Sequence, residues 1–225
     1  MNEHIRAVLF DAVGTLLHPV PNVAEVYAAA GRRHGSRHDV ASIQARFGQA
    51  LARHDNHSET NEQRERERWR KIVTEVFDDV TEDPELLFTE LWQYFAKPTH
   101  WQLYEDVLPI WSLLHQRNMI VGVASNFDAR LETICRGIHP LDELDHVFCS
   151  SVVGFPKPCP EFFGYVSREL RLQPNELLMV GDSLENDIEG ARDAGWQAIW
   201  IQRDGAAHEG SVITLLTDLL ESAGP

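Results

Sequence analysis

Ile5-Arg6-Ala7-Val8-Leu9-Phe10-Asp11-Ala12-Val13-Gly14-Thr15-Leu16-Leu17 is the stretch whose reading decides the fold. Its apolar run predicts a buried parallel strand, and Gly14 predicts a tight turn directly after it. The strand therefore delivers Asp11 to its carboxyl end. In open α/β sheets that edge is where ligands bind, and an aspartate there can act as a covalent nucleophile or a hard-metal ligand. Taken alone, Asp11 reads equally as a turn residue capping its own backbone. The rest of the chain has to decide between the two.

At 225 residues and 43% hydrophobic content, the length allows one large domain or one domain carrying a sizeable insertion. No run approaches the ~18 apolar residues of a membrane span, and Met1 to Arg6 leads into a strand without a signal-peptide core. The expected setting is the cytoplasm, with no membrane partner. Cys135, Cys149 and Cys159 have neither an even count nor a Cys-x-x-Cys spacing, so they are read as reduced and packed. A formal charge of −15 argues against a nucleic-acid partner. An anionic ligand would need local positive potential from a metal, a helix amino terminus or one of the scarce lysines, Lys71, Lys97 and Lys157.

From about His18 to Lys97 no convincing strand is found. Asn22, Asp39 and Asp83-Pro84 read as helix starts, and Trp69, Ile72, Val73, Val76 and Phe77 recur at helical spacing in a further helix. This is a four-helix insertion, residues 18–97, in a core formed by residues 1–17 and 98–225. The alternating charges Arg64 to Arg68 predict a solvated face with Glu62–Arg66 and Glu67–Lys71 pairs. His34 and His38 have helical spacing but are separated by Gly35-Ser36, and no third ligand lies near, so no zinc site is expected. Beyond Thr99, helices alternate with short apolar strands: 119–124, near 147–149, 177–181 and 198–201. Helices are expected from Pro109, over 128–136, over 161–170 and over 184–194. That alternation predicts a parallel sheet with right-handed crossovers.

Reactive groups follow three of these strands: Asp11, then Ser125-Asn126, then Asp182 with Asp187 a turn later. Lys157 lies in the loop Gly154-Phe155-Pro156-Lys157-Pro158. Each has an ordinary structural reading as a cap, turn or loop residue, but all of them at one sheet edge is a poor match to chance.

Asp11-Ala-Val-Gly14-Thr15-Leu16, Ser125-Asn126, Lys157-Pro158 and Gly181-Asp182-Ser183-Leu-Glu-Asn186-Asp187 resemble the four motifs of the haloacid dehalogenase (HAD) superfamily. The run Ser125-Asn-Phe-Asp-Ala-Arg-Leu with Gly-Phe-Pro-Lys-Pro is similar to its domain-containing-protein-3 branch. The resemblance implies a Rossmann-like α/β core with an inserted all-α cap of the C1 type. It makes Asp11 the nucleophile that accepts a phosphoryl group and Lys157 its catalytic partner. Thr15, Ser125 and Asn126 become substrate-binding, and Asp11, Val13 (through its carbonyl), Asp182 and Asp187 become ligands of Mg²⁺. A small phosphorylated metabolite would be the substrate, and the protein a monomer or dimer.

One position departs from the pattern. Phosphotransferases of the superfamily carry a second aspartate two residues after the nucleophile, as acid and then base; here Val13 stands there. General acid–base catalysis contributes about 10² to 10⁴ in rate, so alkyl phosphates should react slowly while aryl or acyl phosphates suffer less. Three readings stay open: a Mg²⁺-dependent hydrolase of phosphatase type with weak or narrow activity, a non-catalytic binder of a phospho-ligand or protein, and a 2-haloacid dehalogenase. In the last a halide leaves unprotonated, but those enzymes use no metal and have no acid at the position of Asp182. Phosphonate cleavage would need a cap lysine, and only Lys71 and Lys97 are available. Trp69, Arg46, Arg53 and Trp101 are candidates for facing Asp11.

Overall fold

The computed structural model describes residues 4–55, 58–203, 205 and 212–219. Its centre is a six-stranded sheet in the order β5-β4-β1-β6-β7-β8, every neighbouring pair parallel. The strands are β1 (Ala7–Phe10), β4 (Ile120–Ser125), β5 (His146–Cys149), β6 (Leu177–Gly181), β7 (Gln197–Ile201) and β8 (Val212–Ile213). The four residues of β1 have no exposure at all, as a strand sandwiched between two helical layers requires. One core cluster gathers Val8, Phe10, Ile110, Leu114, Leu131 and Ile134 on one face; the other gathers Ala7, Leu9, Phe162, Phe163, Val166 and Ile188.

The insertion consists of α1 (Val23–Arg33), α2 (Val40–Arg53), α3 (Glu62–Val76) and α4 (Pro84–Tyr94), with a hydrophobic cluster of its own. Its helix starts are built by short polar side chains. Asn22 accepts from the Glu25 amide at 3.0 Å while Glu25 reaches back to the Asn22 amide at 3.2 Å, and Asp39 accepts from the Ser42 amide at 2.8 Å. Asp83 caps α4 in the same way at 3.3 Å, with Pro84 at the first helical position, where no amide hydrogen is needed.

Several elements differ from the sequence expectation. Two three-residue strands, β2 (Leu17–Pro19) and β3 (Trp101–Leu103), pair antiparallel where the insertion leaves and re-enters the core. Helix α5 (Val107–Gln116) begins two residues before Pro109; a proline within the first turn forfeits no hydrogen bond there. Helix α6 (Arg130–Arg136) begins after Asp128, whose fully buried carboxylate is held by the Arg130 guanidinium at 2.7 Å. Helices α7 (Ser150–Val153) and α8 (Pro160–Leu170) follow β5. After β6 the chain makes a π-helical segment, Leu184–Glu189, and only then α9 (Gly190–Asp193). The Ile188 amide reaches back five residues to the Ser183 carbonyl, and such widened turns are frequent at functional sites.

The charged face of α3 is also rearranged. Among the described residues Glu62 pairs not with Arg66 but with the Ala129 amide, at 2.9 Å, and the Ser151 hydroxyl, both across the gap to the core. Gln63 takes the place foreseen for Lys71 beside Glu67. No described helix is long and apolar enough to cross a membrane.

Candidate active site at the sheet edge

The carboxyl ends of β1, β4 and β6 bring Asp11, Ser125 and Asp182 to one cavity wall, and the π-helical turn adds Asp187. Asp11, Asp182 and Asp187 each offer a carboxylate oxygen within a mutual distance of 4.8 Å. Such closeness depends on two glycines. A β-carbon at Gly14, where φ is +90°, would overlap the Asp182 carboxylate, and one at Gly181 would overlap that of Asp187.

Lys157 reaches into this cluster and is 1% exposed. Its ammonium donates to Asp11 Oδ1 at 2.8 Å, to Asp187 and to the Ala124 carbonyl at 2.7 Å, so all three of its hydrogens have acceptors. Burial alone would push its pKa down. The carboxylates of Asp11 and Asp187 outweigh that, and the net shift is upward, which keeps Lys157 charged. Asp187 also accepts from the Ser183 amide at 2.9 Å. Burial, with Asp11 nearby, nevertheless raises its pKa despite the attraction of Lys157. Asp182 opens on the cavity yet is ringed by protein and by the other carboxylates; burial first, then Asp11 and Asp187, push it up to about 7.

Fully ionised, three carboxylates around one ammonium leave an excess of two negative charges. A hard divalent cation with oxygen ligands matches that donor set in type and in charge. The Val13 side chain lines the same cavity and adds no titratable group to it.

The other sequence candidates fall in different places. Ser125 is buried on the wall. Asn126 is there too, but its side chain clamps the backbone of Lys157, donating to that carbonyl at 2.8 Å and accepting from that amide at 2.7 Å. Thr15 is fully buried behind the wall, its hydroxyl 3.5 Å from Asp182. Trp69 and Trp101 line the cavity. Arg46 instead bonds the carbonyls of Glu75 and Val76, and Arg53 pairs with Glu75. Lys71 and Lys97 are exposed and stand off the wall. His34 bonds Glu90; His38 lies with Asp78 and Asp79 in a surface cluster.

Two contributors were missed in the sequence. Arg130 lines the cavity with its guanidinium 3.4 Å from the centre of the Trp92 ring, while donating to the Trp92 carbonyl at 3.1 Å. Glu65, on the α3 face read as solvated, is 5% exposed and lines the cavity, accepting from the Thr60 hydroxyl at 2.6 Å. Arg130 takes Trp92 from 38 residues away, whereas the partners of Glu65, Thr60 and Arg68, are local. Only a buried carboxylate's need for a donor hints at Glu65.

The family profile of haloacid dehalogenase-like hydrolases matches residues 5–195. An uncharacterised hydrolase of Schizosaccharomyces pombe is 29% identical over 208 residues, 87% of this chain and 90% of that protein. Human haloacid dehalogenase-like hydrolase domain-containing protein 3 is 28% identical over 206 residues, 88% and 82% of the two chains. The crystal structure of a HAD phosphatase from Thermococcus onnurineus superposes with a TM-score of 0.70 at 28% identity, covering 98% of each chain. A match over most of the chain, on a parallel sheet with the motif residues at its carboxyl edge, makes this protein a member of the haloacid dehalogenase-like hydrolases.

Proposed function

We propose that this hydrolase is a Mg²⁺-dependent phosphatase acting through a phosphoryl group carried on Asp11, with the helical insertion serving as its C1-type cap. The observation that carries the reading is the convergence of Asp11, Asp182 and Asp187 on one point with Lys157 buried among them. Asp11, Asp182, Asp187 and the Val13 carbonyl would hold the cation, which supplies charge neutralisation for an incoming dianion. The chain's own residues do the rest. Lys157 fixes the attacking carboxylate and stays cationic, and Ser125 offers a hydroxyl to a phosphoryl oxygen. Asn126 holds Lys157 in register through its backbone. Thr15 steadies Asp182.

Crowded carboxylates weigh against halide release, which has no use for a third acid beside the nucleophile. Val13 favours one competing reading, a non-catalytic binder of a phosphorylated ligand. Three cysteines outside any disulfide fit the reducing cytoplasm.

Phosphate release from acetyl phosphate separates these readings. The phosphatase releases it with Mg²⁺, stops when a chelator is added, and loses the activity in Asp11→Asn. A rate indifferent to both changes sinks the reading. Chloride release from a 2-chloroacid in the presence of chelator would establish the dehalogenase instead.

A further inference from the structure

The cavity above Asp11 continues into the insertion. Its volume is about 540 Å³, within the span of small-molecule sites. Tyr27, Val73, Phe88 and Leu91 line it although none is more than 3% exposed, so the far wall lies within the hydrophobic cluster of α1–α4. Phe47 and Trp69 add rings from the insertion, and Phe127 adds one from the core.

The charges at this wall are already matched among themselves. Glu65 meets Arg68 at 3.3 Å, Arg68 also reaches Asp55 at 3.9 Å, and Arg130 is held by Asp128 at 2.7 Å. Against the rings of Phe47, Trp69, Phe88 and Phe127 a sugar or polyol would turn hydroxyls toward apolar surface. A flat aromatic body would gain face and edge contacts in the same space.

Position 13 limits the substrate independently. Val13 has no proton to give, so the group that departs has to be stable as an anion.

We propose that the substrate is the phosphate monoester of a phenol, its ring lodged among the aromatic side chains of the insertion and its phosphoryl group at Asp11. The proposal rests on the phosphoryl-acceptor reading of Asp11 and supplies its substrate class. A carboxylate oxygen of Asp11 bonds to phosphorus as the bond from phosphorus to the phenolic oxygen breaks. The electron pair leaves with that oxygen, and the ring delocalises it. Water then attacks phosphorus and the bond to Asp11 breaks, returning the carboxylate. One proton of that water stays on the phosphate, and the other balances the proton that the phenolate takes from solvent. An aliphatic alkoxide, which is far more basic, does not leave this way.

Three probes test the proposal on the intact protein with Mg²⁺: 1-naphthyl phosphate, acetyl phosphate and cyclohexylmethyl phosphate. Acetyl phosphate needs no protonated leaving group and no ring pocket, so it reports on Asp11 alone. The expected kcat/KM for 1-naphthyl phosphate exceeds that for acetyl phosphate by about tenfold, from buried apolar area, and that for the alkyl ester by about a hundredfold or more. In Trp69→Ala, and separately in Phe47→Ala, the ratio of naphthyl to acetyl kcat/KM should fall several-fold. 1-Naphthyl phosphate should also quench the tryptophan emission of Asp11→Asn saturably, since Trp69, Trp92 and Trp101 line the cavity, whereas inorganic phosphate should not.

If kcat/KM for acetyl phosphate equals that for the naphthyl ester, the substrate class is wrong and the reading of Asp11 survives. Equal rates on the naphthyl and cyclohexylmethyl esters would overturn the leaving-group argument. No release from any of the three would overturn both the substrate class and the role of Asp11.

Discussion

Replacing Val13 by aspartate puts a carboxyl group back two residues after Asp11, within the same cavity wall. It should raise turnover of alkyl phosphates by about 10² to 10⁴, the usual worth of a positioned acid and base. The native protein, lacking the base, should show a burst of phenol equal to the enzyme concentration and then slow phosphate release, and Val13→Asp should remove the burst. Stopped-flow absorbance with a nitrophenyl ester reads the burst, phosphate release from cyclohexylmethyl phosphate reads the alkyl rate, and an unchanged alkyl rate would show that the missing acid is not limiting. Gly181→Ala acts on the same cluster through packing. Its β-carbon would push Asp187 away, so denaturant unfolding should show a loss of about 1–3 kcal/mol, and calorimetry weaker Mg²⁺ binding. At this scale Asp11, Lys157, Asp182 and Asp187 were legible in sequence because each follows a strand or stands in a proline-bounded loop. Asn126 and Thr15 were legible as part of the site but not in their contacts. Arg130 was not legible, since the Trp92 ring and carbonyl it meets lie 38 residues away, and Glu65 was not, since the charge alternation around it reads as a solvated face.

Elements show the same division between local and distant causes. The starts of α1, α2 and α4 were readable because Asn22, Asp39 and Asp83 bond amides three residues on, a relation contained in the local sequence. Strands β2 and β3 have three residues each, too few for an alternating pattern, and each takes its partner from across the insertion. The π-helical segment follows from the demand that Asp187 reach both Lys157 and the Ser183 amide, which the periodicity of Leu184 to Ala194 does not record. Glu62 is the clearest case: its spacing pairs it with Arg66 a turn away, yet it ties α3 to Ala129 and Ser151 of the core, beside a Thr60 amide that donates to the Gly154 carbonyl at 2.9 Å. Removing that tie should loosen the insertion without touching the sheet. In Glu62→Ala, amide exchange at Ala129 should accelerate while the β1 amides keep their protection, as local opening requires. Equal acceleration at both places would mean that the contact supports the whole fold.

Across the molecule, a chain of net charge −15 gathers three carboxylates around a single lysine, and with the proposed Mg²⁺ bound there stability should depend on pH and metal together. The folded state raises Asp182 from 3.8 to about 7, so in metal-free protein the folded form binds the proton more tightly than the unfolded one. Its contribution therefore favours folding at low pH and is lost as pH rises through that interval. Asp182→Asn should flatten this part of the melting-temperature profile relative to the native chain. At the proposed site Mg²⁺ would compete with the same proton, so its stabilising effect should grow as pH rises through about 7. A Mg²⁺ effect independent of pH would separate the metal from Asp182. The central claim is that Asp11 carries the phosphoryl group. Its most direct test is to quench a reaction of the protein with Mg²⁺ and 1-naphthyl phosphate, reduce it with borohydride and sequence the peptides by mass spectrometry. The account predicts homoserine at position 11, with none in a chelator-treated control. Phosphate release without any modification of Asp11 would contradict it.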